Sequence, residues 1–248
     1  MIPSVALGHL ISSLVSFSIA WKLYRSWQKN KDSKPLNYFF KFFLLLGINW
    51  SPLVNASPLI SRNPYFLAIT HDLAIPVLYL AMAYLIIVPL QLLHWFKLKK
   101  IFYYFFVIMA AALAVINLWN FKPALSFTTD NYIYWLANIP PQVRTVTGYI
   151  TPAVALTVVV FFILEAALTR QKYFMTRSLL ISLGVLLMGM ASVAHFLIGA
   201  PRGSFNFVSL TSVLVNGGLL LILEGIYYKR TFASAGNEPK KNAQAGVS

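Results

Sequence analysis

Long apolar runs, separated by short polar connections, recur along the whole chain. Each run reaches the length of about 20 residues that a helix needs to cross a hydrocarbon layer of about 30 Å. Because such a layer offers the backbone no hydrogen-bond partners, the runs predict α-helices. We expect seven transmembrane helices, with bounds good to a few residues, at 4–24, 36–56, 66–93, 101–120, 145–169, 176–199 and 205–228.

The composition supports this architecture. Of 248 residues, 58% are hydrophobic and only 10% are charged, which is too apolar for an ordinary soluble domain. The predicted fold class is all-α, a polytopic bundle in residues 1–230, and no β-strand is expected. Residues 231–248 are small and polar, so we expect a disordered cytoplasmic tail there.

The basic residues determine the expected orientation. Fifteen of the 20 fall on one side of the predicted bundle and four on the other, with Lys41 inside the second span. By the positive-inside rule the N-terminus is outside and the C-terminus is in the cytoplasm, in a bacterial-type plasma membrane. The net charge of +14 is then explained by topology and by contact with the lipid bilayer, and no nucleic-acid partner is expected.

Several activities are disfavoured by what the sequence lacks. There is no cysteine, so disulfides, thiolate chemistry and Cys-ligated metals are excluded. The stretch 205–228 has no lysine to form a retinal Schiff base, and neither a His-x-x-x-His pair nor a Gly-x-Ser-x-Gly site is present. An enzyme is therefore not expected.

The third span carries Thr70-His71-Asp72 near its start. A carboxylate at the centre of a membrane helix costs roughly 2.5–3.5 kcal/mol on insertion scales, and less toward the ends. We therefore expect this segment to face the protein interior or a wet cavity.

Other polar residues share that depth in the outer half of the bundle. In the first span, His9, Ser12, Ser13 and Ser16 follow a helical spacing that places them on one face. We predict a pocket for a small molecule or ion that opens outward and is lined by His71, Asp72, His9, His195, Ser12, Asn49, Ser212 and Asn216. Two alternatives stay open: hydrogen bonding between helices, or a metal site formed by His9, His71 and His195. No other cofactor is expected.

Two carboxylates lie near the cytoplasmic ends of their helices. Glu165 and Glu224 each oppose the helix dipole there, so each is expected to need a cation. Lys22, Arg25, Lys41 and Arg177 are available at that depth, and we predict ion pairs with Lys41 and Arg177 at the inner rim of the bundle. The alternative is a coupling-proton site.

A weak internal repeat relates spans one to three to spans five to seven. Sliding the chain by 140 residues sets Gly8-His9-Leu10 on Gly148-Tyr149-Ile150, and Arg62 on Arg202. The resulting 3+1+3 plan resembles the arrangement of the SWEET sugar transporters, which implies parallel repeats. The related PQ-loop signature is not found, because Pro141-Gln142 precedes the fifth span.

Three functions follow from these patterns. The first is a small-solute or ion transporter, favoured by the repeat, by prolines in spans two, three and five, and by the polar outer half. The second is a stand-alone seven-helix sensor that signals through a membrane or cytoplasmic protein partner. The third is an accessory or metal- or haem-binding membrane subunit.

Overall fold

The computed structural model describes residues 4–129, 132–136, 138–169, 172–198 and 205–235. Seven α-helices dominate it: α1 Ser4–Lys29, α2 Lys34–Trp50, α3 Pro64–Leu92, α4 Phe96–Trp119, α5 Pro141–Thr169, α6 Lys172–Val193 and α7 Phe205–Ala235. A short 3₁₀ turn precedes α3 and a π-helical turn follows α6, at Ser57–Leu59 and Ala194–Ile198. Two strands, β1 Leu125–Thr129 and β2 Tyr132–Leu136, lie between α4 and α5.

Six helices are long and apolar enough to cross a membrane, all except α2. The prediction of a helical, multi-pass membrane protein is therefore confirmed. Helix α2 has 17 residues, at the lower limit for a spanning helix, and it ends at Trp50 instead of continuing to residue 56 as predicted. The hydroxyl of Ser51 donates to the carbonyl oxygen of Ile48 at 2.7 Å. Pro52 follows, and because proline has no backbone N–H to continue the helical hydrogen bonds, the helix ends here.

The prolines within α3 and α5 do not end these helices. Helix α3 runs through Pro76 and Pro89, and α5 runs through Pro152. Helix α3 begins two residues before the predicted span because Asn63 caps it: its side-chain oxygen accepts hydrogen bonds from the backbone of Tyr65 and Phe66.

The expectation of no β-strand is wrong. Strands β1 and β2 form an antiparallel hairpin in which Leu125 pairs with Leu136 and Thr129 with Tyr132. The sequence of both strands is rich in aromatic and β-branched residues, which favour a pleated conformation. Strands of five residues are too short to stand out in a search for membrane-length runs.

The hairpin lies at the end of the bundle where α1 and α3 begin, which we call the hairpin end. The backbone N–H of Ala124 donates to the carbonyl oxygen of Pro64, and the rings of Tyr65 and Phe121 stack with centroids 6.5 Å apart. Strand β2 also contacts α1. The opposite end carries the short connections α1–α2, α3–α4 and α5–α6, and we call it the basic end.

Helix contacts close a ring of six, with α4 outside it. Helix α2 packs against α1 and α3, and α6 packs against α5 and α7. Contacts of α1 with α7 and of α3 with α5 join these two groups into the ring. Helix α4 packs mainly against α3. The largest fully buried side chains of this bundle are aromatic, among them Tyr79, Phe39, Phe42, Phe43, Phe106 and Phe162.

Helix α7 extends further than the sequence predicted. It continues to Ala235, five residues into the stretch expected to be disordered. Residues 236–248, the rest of that stretch, lie outside the described residues.

Candidate functional site

Three histidines from three helical segments come together at the hairpin end. His9 lies on α1, His71 on α3 and His195 on the π-helical turn after α6. His9 interacts electrostatically with both other imidazoles, and His71 interacts with His195. These segments are distant in the chain, so closure of the helix ring is what brings the three side chains near one another.

Arg144, in the first turn of α5, adds a fourth basic group. Its Nε donates to the carbonyl oxygen of Phe196 at 2.9 Å, and its charge acts on the neighbouring His195. Sequence reasoning counted Arg144 only as one of the few outer bases. The available signal was its position, because a cation is unfavourable at the positive N-terminal end of a helix and calls for an explanation.

Asp72 is not part of this group. Its side chain is half-buried, and it is not among the charges that act on the three histidines. Adjacent residues on an α-helix point about 100° apart, which is why His71 turns toward the cluster and Asp72 does not. The structure thus brings together the three predicted histidines without the predicted carboxylate.

The polar face of α1 is buried along its length. Ser12, Ser13 and Ser16 are at most 3% exposed. The hydroxyl of Ser13 donates to the carbonyl oxygen of Gly47 at 2.8 Å and so joins α1 to α2, whereas the hydroxyl of Ser16 has no hydrogen-bond partner. Part of this face therefore acts as a link between helices, and part is left unsatisfied.

Helices α1 and α7 approach closely at the depth of His9. A Cβ atom added to Gly8 would lie 2.7 Å from the hydroxyl oxygen of Ser212. One turn further along α7, the side-chain nitrogen of Asn216 donates to the carbonyl oxygen of Ser212 at 3.0 Å, and its side-chain oxygen has no partner. The predicted residues of α7 thus lie near the predicted face of α1.

Asn49 is buried at the end of α2, with 4% of its surface exposed. Its backbone oxygen accepts from the side chain of Asn55 at 2.8 Å, but its own side-chain oxygen has no partner.

Buried polar atoms without hydrogen-bond partners occur on five helices of the ring, and on α4 outside it. Those on the described residues include atoms of Ser16, Asn49, His71, Ser192 and Asn216 in the ring, and of Asn117 on α4. An unsatisfied buried donor or acceptor costs about 1–3 kcal/mol, and most buried polar groups in native proteins are paired with protein or ordered water. Tyr79 on α3 and Thr147 on α5 are both fully buried, and their side chains lie close enough to interact. Sequence reasoning missed this pair because both residues resemble ordinary helix-packing positions.

The imidazoles do not form a set of metal ligands. Within the described residues, no group of three or more His, Cys, Asp or Glu side chains is placed to hold a metal ion.

The basic end holds the four residues that were predicted to form ion pairs. Glu165 accepts a hydrogen bond from Ser178 at 2.6 Å, and Glu224 is exposed on α7. The ammonium group of Lys41 lies 5.3 Å from the ring centroid of Tyr84, and Nε of Arg177 is buried without a partner. Ionic pairing among these side chains stays a prediction.

No protein-family model and no curated protein matches the chain.

Proposed function

We propose that the protein is a membrane transporter for a small solute or ion, with its binding site inside the six-helix ring near the hairpin end. The observation that carries the proposal is the meeting of His9, His71 and His195 from three separate helical segments, together with buried polar atoms on the ring helices that have no hydrogen-bond partner. Native proteins rarely leave such groups unsatisfied, so a polar solute or water between the helices would supply the missing partners. His9, His71 and His195, together with Arg144, would form the polar part of that site.

The contact pattern of the ring supports the proposed parallel repeat. If α1, α2 and α3 are exchanged with α5, α6 and α7, the contact between α1 and α7 becomes the contact between α5 and α3, and both contacts exist. Such a two-fold relation about the membrane normal places a site between the halves, where rocking of one half against the other exposes it to alternate sides. Helix α4, outside the ring, would connect the halves.

The proposed orientation follows from the charge asymmetry. With the hairpin end outside and the basic end in the cytoplasm, the short connections at the basic end carry most of the lysines and arginines. The histidine group then belongs to the outer half of a bacterial-type plasma membrane, and its site would open outward.

The test is uptake into proteoliposomes that contain the full chain, with a panel of labelled sugars, amino acids, small carboxylates and inorganic ions. We expect at least one member to accumulate above empty liposomes and His71→Ala to reduce its uptake at least tenfold. The matched control is His94→Ala, since His94 is exposed in the turn between α3 and α4 at the basic end.

Two results would contradict the proposal. If no panel member enters, but one raises the unfolding temperature of the wild type and not of His71→Ala, the protein binds without transporting, as the sensor function requires. If His71→Ala and His94→Ala transport equally well, the histidine group is not the site.

A further inference from the structure

A buried carboxyl group joins α5 to α6 near the basic end, far from the histidine group. The hydroxyl of Ser178 donates to Oε2 of Glu165 at 2.6 Å. Glu165 is 4% exposed and Ser178 is 1% exposed. The side chain of Thr169 donates to the backbone oxygen of Glu165 and not to its carboxyl group, so Ser178 is the partner of the carboxyl among the described residues.

Among the described residues, the hydrogen-bond partner of this carboxyl group is the Ser178 hydroxyl, and no cationic side chain donates a hydrogen bond to it. The Nζ of Lys99 is hydrogen-bonded to Gln91 and Tyr38. The charged and titratable groups near the basic ends of the helices packed against α5 are Lys172, Tyr173 and Arg177 on α6, Lys97, Lys99, Lys100, Tyr103 and Tyr104 on α4, and Tyr79 and Tyr84 on α3. Arg170 lies outside the described residues. A buried carboxylate without a cation is unfavourable, and such groups in membranes neutralise by taking up a proton or an ion.

Helix α6 offers this carboxyl group a second hydroxyl. Ser182 is one turn beyond Ser178 on the same side of α6, is 4% exposed, and its oxygen has no hydrogen-bond partner. That side faces α5, since a Cβ atom on Gly189, further along it, would lie 2.8 Å from the Cβ of Ala155. One carboxylate and two hydroxyls are too few oxygen ligands for a hard divalent cation, but they suffice for a proton.

We propose that Glu165 is a proton-binding site opening to the basic end, with Ser178 as its positioning residue. A proton from water at that end adds to the carboxylate and yields the neutral acid, and release reverses the step. The Ser178 hydroxyl donates to the carboxylate in one state and can accept from the acid in the other, so the contact between α5 and α6 persists. That this proton drives solute movement rests on the proposed transport function, whereas proton binding itself does not.

The experiment is infrared difference spectroscopy on the full chain in lipid bilayers, between acidic and alkaline buffer, with choline chloride as the salt. Every carboxyl group that takes up a proton in acidic buffer absorbs in the protonated-carboxyl region of the spectrum, and we expect the wild type to show among these absorptions one band that is lost in Glu165→Gln. Glu224→Gln is the matched control, because Glu224 is an exposed carboxylate near the same end, and it should leave this band intact. In Ser178→Ala the band should persist at a higher frequency, since the acid has lost its hydrogen bond.

The outcomes separate this site from the transport proposal, because no solute is needed. A band that survives Glu165→Gln, or that Ser178→Ala leaves unshifted, overturns the assignment. Should Glu165→Gln fail to fold, the Ser178→Ala shift decides the question alone. If sodium chloride in place of choline chloride lowers the band at constant pH, sodium displaces the proton, and the assignment of a site that binds protons alone is overturned.

Discussion

A close approach between the backbones of α6 and α7 gives the sharpest stability prediction. Gly184 on α6 and Gly218 on α7 face each other: a Cβ atom on Gly218 would lie 2.6 Å from the carbonyl oxygen of Gly184, and one on Gly184 would lie 2.5 Å from that of Gly218. Both atoms that would be struck belong to backbone, so no side chain can rotate away. We predict that Gly218→Ala destabilises the protein.

The size of the effect follows from two opposing terms. The added methyl forces α6 and α7 apart until the contact grows from 2.6 Å to at least 3.0 Å. Overpacking of this kind costs about 1–3 kcal/mol, partly because gaps open elsewhere along the interface. Alanine recovers up to about 1 kcal/mol through its higher helix propensity. The net loss in the free energy of unfolding should be about 1–2 kcal/mol.

Gly217 provides the control from the adjacent position. A Cβ atom there would meet nothing within 4 Å, so Gly217→Ala should leave stability unchanged or raise it by up to about 1 kcal/mol. Both variants would be unfolded with sodium dodecyl sulfate in mixed micelles and followed by the fluorescence of the six tryptophans. Equal unfolding free energies for the two variants would refute the close backbone contact between α6 and α7.

Two further substitutions test other helix contacts by the same assay. A Cβ atom on Gly47 would lie 2.7 Å from the ring of Phe17, but that ring is 37% exposed and can turn toward lipid. Gly47→Ala should therefore lower the free energy of unfolding by less than Gly218→Ala does. An equal or larger loss would show that the ring of Phe17 is fixed. Tyr227→Phe removes the hydrogen bonds of the Tyr227 hydroxyl to Ser26, at 2.7 Å, and to the carbonyl oxygen of Lys22, at 3.3 Å, while the ring stays 4.6 Å from the ammonium group of Lys22. We expect a loss of about 0.6 kcal/mol for each bond, the average for such bonds in membrane proteins, and a total loss above about 2 kcal/mol would contradict that assignment.

The candidate site was only partly predictable from the sequence. Equal depth in the membrane could be read from the span bounds, so His9, His71 and His195 could be proposed as a group. Depth says nothing of the direction in which a side chain points, and Asp72 was included although its helix turns it away. Arg144 was missed because its connection to the π-helical turn exists only after α5 and α6 have packed.

The helical membrane architecture was determined by the sequence alone, because apolar length and backbone hydrogen bonding are local properties of each segment. Which helices become neighbours is a different matter. Lipid tails are as apolar as leucine, so hydrophobicity does not choose partners, and helices associate where their surfaces fit and their polar groups meet. The exclusion of α4 from the ring and the contact of Gly184 with Gly218 depend on that fit, as do the meeting of three distant histidines and the burial of Glu165 against Ser178. Only the tertiary structure decided them.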